Sequence, residues 1–215
     1  MAGRTLAQRA MRNPVLPLIY ERVWRPVGFT LASAGRSTTA EQERIDAFLA
    51  LAPGARVLDV ACGPGNTTRR LLRTLGPDGR ITGLDAAPAM IARARADTDD
   101  PRVDYIQGDA TAMPFADGAF NAVTCLGALY LVEDAEAVLD ELVRVVAPGG
   151  RVVVLTSVHR GPAPLHGLAD ALMRPAGMRV FGADEVTAAL RDRGLVHVRR
   201  ELAGFLQLAA GSRPM

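Results

Sequence analysis

The chain has 215 residues, of which 49% are hydrophobic and 22% are charged. This length fits one domain with a modest appendage, and the composition excludes disordered and collagen-like chains. The formal net charge of +2 gives no overall attraction to nucleic acid or membranes. All 25 basic residues are arginines, so reactions that need a catalytic lysine are excluded.

The N-terminal region is the most basic part of the chain, because residues 1–36 contain six arginines and one acid, Glu21. Its apolar patch, Pro14–Tyr20, is short and contains a proline, so we expect no signal peptide. The two cysteines of the chain are 63 positions apart and make neither a disulfide framework nor a metal site. We therefore expect a reduced, cytoplasmic protein.

No strand pattern precedes residue 47, and we expect residues 1–46 to form a helical cap on a domain of residues 47–215. A cap that closes over the domain would place Tyr20 and Trp24 against a substrate. Two alternatives remain open for this region. One is weak contact of the basic surface with anionic lipid, without stable membrane insertion. The other is a helix packed on the sheet with solvated arginines.

The predicted elements begin with a helix for which Thr39 and Gln42 form a capping box. From residue 56, short β-branched runs alternate with helical patterns, which is typical of a parallel sheet covered by helices on both faces. The five strands predicted there are Arg56–Ala61, Arg80–Asp85, Arg102–Gln107, Phe120–Leu126 and Arg151–Ser157. The third alternates polar and apolar residues, as an edge strand does.

Three of the predicted helices have readable ends. Pro88 suits the first turn of one helix, and Asp134 can cap a second helix that Pro148–Gly150 ends. The third helix, Asp184–Arg193, stops before a glycine. Two further strands follow and are close enough in sequence to pair antiparallel: Leu195–Leu202 and Gly204–Ala209.

The first predicted strand ends in a glycine-rich turn, Cys62–Gly65. In an open parallel sheet, ligands bind beyond the carboxyl ends of the strands. Gly63 and Gly65 would let ligand atoms lie against bare backbone. A tight strand-to-helix turn that binds nothing would also place glycines here.

Asp85 ends the second predicted strand, 20 residues after Gly65. A carboxylate at this spacing suits a ribose diol, because two acceptor oxygens match two adjacent hydroxyls. Capping of the Pro88 helix is the alternative role. Asp109 and the Ala110 amide follow the third strand, where they could recognise a purine edge or simply form a turn.

Two residues help to distinguish a dinucleotide from a nucleoside that carries an amino acid. Thr68 occupies the sixth position of the G-x-G-x-x-G pattern, where dinucleotide-binding proteins have Gly or Ala. Asp59, four residues before Gly63, would repel a pyrophosphate but can hold an ammonium group, directly or through water. The pattern therefore favours an amino-acid-bearing nucleoside.

These segments resemble the motifs of class I S-adenosylmethionine-dependent methyltransferases, in the small-molecule group that includes quinone-ring C-methyltransferases. The resemblance covers about residues 45–209. It implies a Rossmann-like α/β fold with a seven-stranded, mostly parallel sheet in the order 3-2-1-4-5-7-6, strand 7 antiparallel, and helices on both faces. The matching segments are Val57–Gly65, Gly83–Asp85, Gly108–Phe115, Phe120–Tyr130 and Arg144–Gly150.

The resemblance also implies which residues contact the cofactor S-adenosylmethionine. Asp59, Gly63 and Gly65 would surround its methionine part, and Asp85 would bind its ribose hydroxyls. Ala87 departs from the family, which often has serine there. The remaining implied contacts are Cys62, Ala86, Met90, Asp109, Ala110 and Leu126.

Methyl transfer from a sulfonium is an in-line displacement that depends mainly on positioning, so we expect no metal ion. Tyr130, His159 and His166 are the candidates for a base or a substrate-orienting group, and Tyr130 would also line the acceptor pocket. The alternatives are packing for Tyr130 and plain surface positions for the two histidines. His197 and both cysteines are expected to be structural.

The sequence thus predicts a methyltransferase that methylates oxygen or carbon of a small organic acceptor and releases S-adenosylhomocysteine. An NAD(P)-dependent oxidoreductase and a non-catalytic S-adenosylmethionine-binding protein remain as alternatives. Nucleic acid is not expected as a partner, because acids outnumber bases beyond the N-terminal region.

Overall fold

The computed structural model describes residues 38–215, so Tyr20, Trp24 and most of the expected cap lie outside the described part. The described chain builds one sheet in the order β3-β2-β1-β4-β5-β7-β6. Strand β7 is antiparallel to both of its neighbours, and the other pairs are parallel. The predicted strand order is therefore confirmed. The strands are β1 Arg56–Val60, β2 Arg80–Asp85, β3 Val103–Gln107, β4 Phe120–Leu126, β5 Val146–Ser157, β6 Val196–Ala203 and β7 Leu206–Ser212.

Helices cover both faces of the sheet. In the described part these are α1 Thr38–Leu49, α2 Asn66–Leu72, α3 Pro88–Ala96, α4 Ala135–Val145, α5 His166–Met173 and α6 Glu185–Asp192. Alternate residues of β1 belong to different apolar cores: Val57 packs with α1 and α2, whereas Leu58 and Val60 pack with α4 and α6. Each fully buried Leu or Val in such a core stabilises the fold by roughly 1.5–3 kcal/mol.

Several predicted local features are present. Pro88 is the first residue of α3, and the Asp134 carboxylate accepts a hydrogen bond from the Ala137 N–H (2.9 Å) at the start of α4. Strand β3 lies at the edge of the sheet, as its alternating pattern predicts. The two C-terminal strands pair antiparallel.

Two predicted helix boundaries are wrong. Helix α1 begins at Thr38, so Thr39 lies inside its first turn instead of capping it. Helix α4 ends at Val145, and β5 begins directly at Val146. The segment Pro148–Gly150 therefore does not end the helix. It lies in a register irregularity of β5, between the pairs Phe120–Val146 and Ala122–Arg151.

Candidate active site

The carboxyl ends of β1, β2, β3 and β4 meet at one edge of the sheet, because these strands are parallel. Strand β1 lies between β2 and β4, so the order in which successive strands are added to the sheet reverses beside it. A crevice opens at such a switch point in open α/β sheets. The predicted cofactor residues Asp59, Asp85 and Leu126 come from these strands.

The loop Ala61–Gly65 has an unusual backbone. Ala61, Gly63 and Gly65 all have positive φ, at 56°, 57° and 81°. The Cys62 N–H donates to the Leu84 carbonyl (3.0 Å), which fixes the loop against the end of β2. The left-handed Ala61 also explains why β1 ends at Val60, one residue before its predicted end.

The two loop glycines differ in their surroundings. A Cβ atom at Gly65 would overlap the Tyr105 hydroxyl and stand 2.8 Å from its Cζ atom, so the packing of β3 requires glycine there. A Cβ atom at Gly63 would meet nothing within 4 Å. Gly63 therefore faces open space, into which a ligand could fit.

Asp85 ties the loop to the end of β2. Its Oδ2 accepts a hydrogen bond from the Gly63 N–H (2.9 Å) and its Oδ1 accepts one from the Ala87 N–H (2.8 Å). Desolvation raises the pKa of Asp85 above its usual value, although both hydrogen bonds act in the opposite direction. Asp85 thus lies at the glycine loop, as predicted, and also accepts a hydrogen bond from the turn that precedes α3.

Asp59 lies beneath the loop and is only 2% exposed. It accepts hydrogen bonds from the hydroxyls of Thr68 (2.6 Å) and Thr124 (3.0 Å). One carboxylate thereby connects β1, β4 and α2. This position beneath the loop favours a contact with an ammonium group through water over a direct contact. Neither threonine is among the site residues predicted from the sequence, although the polar Thr68 in the glycine pattern is a signal for one of these contacts.

Both cysteines are buried, and neither favours a thiolate. Burial raises the pKa of Cys62 far above its usual value, and the negative charges of Asp59 and Asp85 add to this effect. Burial, with a smaller contribution from Asp59, raises the pKa of Cys125 to about 12. Nucleophilic thiol chemistry is therefore disfavoured at this site.

The predicted adenine-side residues follow β2 and β3. Met90 is buried and Ala86 is exposed. The Asp109 carboxylate accepts hydrogen bonds from the Thr111 N–H (2.9 Å) and from its hydroxyl (2.8 Å), so Asp109 forms a local turn. Ala110 is partly buried beside it and packs against the core.

The three candidate catalytic side chains follow β4 and β5. Tyr130 lies in a 3₁₀ turn after β4, and its carbonyl accepts the Arg179 N–H (2.8 Å). The backbone N–H of His159 donates to the Phe181 carbonyl (2.9 Å). The rings of His159 and His166 stack at 4.3 Å, 13° from parallel. His197 is exposed at a register shift in β6, away from this group.

An open cleft of about 400 Å³ lies at the opposite edge of the sheet, near the amino ends of β4 and β5. Arg144, Arg193 and Arg213 line it. The first two pair with carboxylates, and Arg213 donates to the Val146 carbonyl (2.7 Å). This cleft is far from the glycine loop and is not the predicted site.

From residue 38 onward, no group of three or more His, Cys, Asp and Glu side chains is arranged to hold a metal ion. No helix within the same part of the chain has the length and apolarity needed to cross a membrane.

Residues 57–150 match a family described as a methyltransferase domain. This segment of the chain is similar to that methyltransferase domain. The resemblance predicted from the sequence motifs is confirmed, and the family match disfavours the oxidoreductase alternative.

Curated proteins that are similar to this chain are named methyltransferases. The chain is 37% identical over 153 residues to a 2-phytyl-1,4-naphtoquinone methyltransferase of Thermosynechococcus vestitus, covering 70% of this chain and 64% of that protein. It is 41% identical over 127 residues to a demethylmenaquinone methyltransferase of Thermus thermophilus (58% and 57%). It is 35% identical over 156 residues to an arsenite methyltransferase of Halobacterium salinarum (69% and 39%). The chain thus spans less than two thirds of the length of each of these relatives.

Solved structures support the fold of the methyltransferase domain. A phosphoethanolamine N-methyltransferase of Haemonchus contortus, in complex with S-adenosylhomocysteine, gives a TM-score of 0.76 at 15% identity, covering 96% of this chain and 59% of that one. The [4+2]-cyclase SpnF gives 0.74 at 19% identity, covering 100% and 98%. Because a cyclase shares the architecture, the fold alone does not define the reaction.

Proposed function

We propose that this chain binds S-adenosylmethionine at the loop Ala61–Gly65 and transfers its methyl group to a small quinone-type acceptor. The observation that carries the proposal is the hydrogen bond from the Gly63 N–H to Asp85 Oδ2 (2.9 Å). It places the carboxylate that suits a ribose directly beside the glycine that faces open space. The acceptor class rests on the names of the curated relatives, two of which are named as methyltransferases of 2-phytyl-1,4-naphtoquinone and of demethylmenaquinone.

The residues present fit a sulfonium nucleoside. Open space at Gly63 leaves room for ligand atoms against the main chain, and Asp85 offers acceptor oxygens to a ribose. Asp59 supplies negative charge beneath the loop, near the position expected for a positively charged methionine part. A pyrophosphate would meet both carboxylates and be repelled.

The bound cofactor supplies a methyl group on a sulfonium, whose departure needs no further activation. The contribution of the protein is to hold the acceptor in line with the methyl–sulfur bond. Such positioning can supply roughly 7–11 kcal/mol of the barrier reduction. In this proposal Asp85 and the loop fix the nucleoside, and residues after β4 and β5 orient the acceptor.

The test measures cofactor binding and turnover separately. Calorimetry with S-adenosylhomocysteine should give saturable binding, and calorimetry with NAD should not. Turnover should then appear with S-adenosylmethionine and chemically reduced 2-phytyl-1,4-naphthoquinone, as methylated product in a mass spectrum together with S-adenosylhomocysteine. Arsenite serves as the second acceptor.

The outcomes distinguish the remaining functions. Methylation of arsenite alone would overturn the quinone class and keep the methyltransferase. Binding of S-adenosylhomocysteine without any turnover would favour a non-catalytic binding protein. Binding of NAD without S-adenosylhomocysteine would overturn the cofactor assignment.

A further inference from the structure

A buried histidine lies just beyond the carboxyl end of β5. The side chain of His159 is only 9% exposed, and its Nε2 lies 3.2 Å from Oδ1 of Asp170 on α5. Its Nδ1 is buried, and no residue of the described chain provides a hydrogen-bond partner for it. A buried imidazole nitrogen without a partner is costly and needs an explanation.

We propose that His159 is the general base of the methyl transfer and that Asp170 is its positioning residue. This inference rests on the proposed function. It deepens that function by naming the chemistry of the acceptor: the acceptor must carry a proton that it loses on methylation, as the hydroxyl of a hydroquinone does.

The contact with Asp170 determines which nitrogen can act as the base. An ionised carboxylate only accepts hydrogen bonds, so the neutral ring of His159 keeps its proton on Nε2, toward Asp170. The lone pair is then on Nδ1, the nitrogen that has no partner. The same carboxylate stabilises the imidazolium that forms when Nδ1 takes up a proton.

The backbone places this base near the expected reaction centre. The Gly127 N–H donates to the Leu155 carbonyl (2.8 Å), so the end of β5 lies against the turn that follows β4. Residues 179–181 connect the two candidate regions through backbone hydrogen bonds. The Arg179 N–H donates to the Tyr130 carbonyl, and the backbone N–H of His159 donates to the Phe181 carbonyl. Strand β4 in turn pairs with β1, which carries the glycine loop.

Helix α5 is the element through which an acceptor would reach His159. None of its described side chains is buried, and Leu168 and Leu172 are 60% and 66% exposed. These exposed leucines offer apolar contacts to an acceptor that approaches His159.

The acceptor hydroxyl gives its proton to Nδ1 of His159, and the electron pair on the resulting oxyanion, or on the ring carbon conjugated with it, attacks the methyl carbon. The methyl–sulfur bond breaks with its electron pair remaining on sulfur, which yields S-adenosylhomocysteine. Where oxygen is methylated, His159 then releases its proton to solvent. Where carbon is methylated, the ring carbon loses its proton to solvent as aromaticity returns, and His159 gives its proton back to the oxygen.

The charged and titratable groups around His159 come from α5 and from the segment that follows it. Asp170 and the stacked His166 contact the ring directly. Arg179 and Glu185, on the segment packed behind it, pair with each other. Removal of Asp170 therefore removes the one negative charge in contact with the ring of His159 in the described part.

The kinetic test uses the full chain with reduced 2-phytyl-1,4-naphthoquinone. We expect His159→Gln to lower kcat by about 100-fold or more, the usual contribution of a general base. S-adenosylhomocysteine affinity should change by less than about twofold, because the cofactor contacts lie on other strands. Asp170→Ala should also lower kcat, because the ring is no longer held with its Nε2 proton toward a carboxylate. His197→Gln is the matched control and should leave kcat unchanged.

A second measurement does not depend on activity. The ¹⁵N chemical shifts of the His159 ring should show protonated Nε2 and unprotonated Nδ1 in the neutral form, and Asp170→Ala should change this ratio. The opposite tautomer would overturn the proposal even if no acceptor is turned over. Wild-type kcat in His159→Gln, or a larger loss in His166→Phe, would also overturn it while leaving the methyltransferase function intact.

Discussion

Asp85 is under opposing electrostatic influences. Its partial burial disfavours the charged carboxylate, and this effect outweighs the two backbone hydrogen bonds that favour it. A ribose diol would donate two further hydrogen bonds to the charged form. Cofactor binding and ionisation of Asp85 should therefore be linked.

Replacement of Asp85 by Asn removes the charge and one acceptor while keeping the size. S-adenosylhomocysteine affinity should fall by about 10–100-fold, as expected for lost hydrogen bonds to a charged group. The wild-type affinity should also fall at acidic pH, starting above the usual aspartate value of 3.8 because the pKa is raised. Calorimetry across pH measures both effects, and undiminished affinity in Asp85→Asn would contradict the ribose role.

The same raised pKa has a consequence for stability. A carboxyl whose folded pKa lies above its unfolded value favours folding when protonated, and this contribution is lost as pH rises through the folded pKa. We therefore expect the wild type to lose stability relative to Asp85→Asn as pH rises above 3.8. Urea unfolding of both proteins at several pH values checks the sign, and a difference that is constant with pH would contradict it.

Gly63 and Gly65 provide a matched pair of substitutions. Gly63→Ala should cost about 1–2 kcal/mol of stability, the price of a left-handed alanine, and should weaken S-adenosylhomocysteine binding by filling the open space. Gly65→Ala should destabilise more, because overlap with Tyr105 adds about 1–3 kcal/mol. Urea unfolding and calorimetry separate the two effects. Equal destabilisation with unchanged binding would show that both glycines serve only the turn.

The hydrogen bonds of Asp59 connect three secondary-structure elements. The carboxylate belongs to β1, Thr124 belongs to β4, and Thr68 belongs to α2. Asp59 and Thr124 are directly paired in the sheet register. The three elements that frame the crevice are therefore fixed to one another by two hydroxyl groups.

Thr68→Val removes one hydroxyl and keeps the volume. It should lower the free energy of unfolding by about 1–3 kcal/mol, because a buried carboxylate oxygen loses its donor. Thr74→Val is the control, since Thr74 is exposed and donates only to the Leu71 carbonyl within its own turn. Chemical denaturation of both variants measures the difference, and equal effects would exclude a special role for the buried hydroxyl.

The β3–β4 connection is held by a second network, around Arg144 on α4. Its guanidinium donates to the Phe115 carbonyl (2.7 Å) and pairs with Asp117 and Glu141. The hydrogen bond from Arg144 is the main cause of a lowered Glu141 pKa. Because a lowered carboxyl pKa stabilises the fold above the unfolded value, this contribution is lost as pH falls through the folded pKa.

Arg144→Met should therefore destabilise the fold at neutral pH, by about 1–2 kcal/mol after allowing for its partial exposure. The destabilisation should shrink as pH falls below the usual glutamate value of 4.5. Unfolding titrations at pH 7 and pH 4 measure this. If the destabilisation is the same at both pH values, its cause is the lost packing of the arginine side chain.

Over the whole molecule, the strand order was predicted through the resemblance to a known family, which rests on motifs at the strand ends such as Gly63 after β1 and Asp85 at the end of β2. The sequence could not predict contacts that depend on which strands become neighbours. Asp59 and Thr124 are 65 positions apart and meet only because β4 lies beside β1. The pair His159–Asp170 likewise requires the irregular fold of the segment after β5.

The roles of Tyr20 and Trp24 stay predictions, and they concern how the N-terminal region and the domain work together. If these rings line the acceptor pocket, the full-length double variant Tyr20→Ala/Trp24→Ala should raise the KM for reduced 2-phytyl-1,4-naphthoquinone by about tenfold or more, as expected for lost aromatic contacts. S-adenosylhomocysteine affinity should not change, because the proposed cofactor contacts lie at and just after the carboxyl ends of β1–β4. Arg22→Ala, between the two aromatic residues, is the control. An unchanged KM in the double variant would exclude this region from the acceptor pocket, and the elements after β4 and β5 would then have to form that pocket alone.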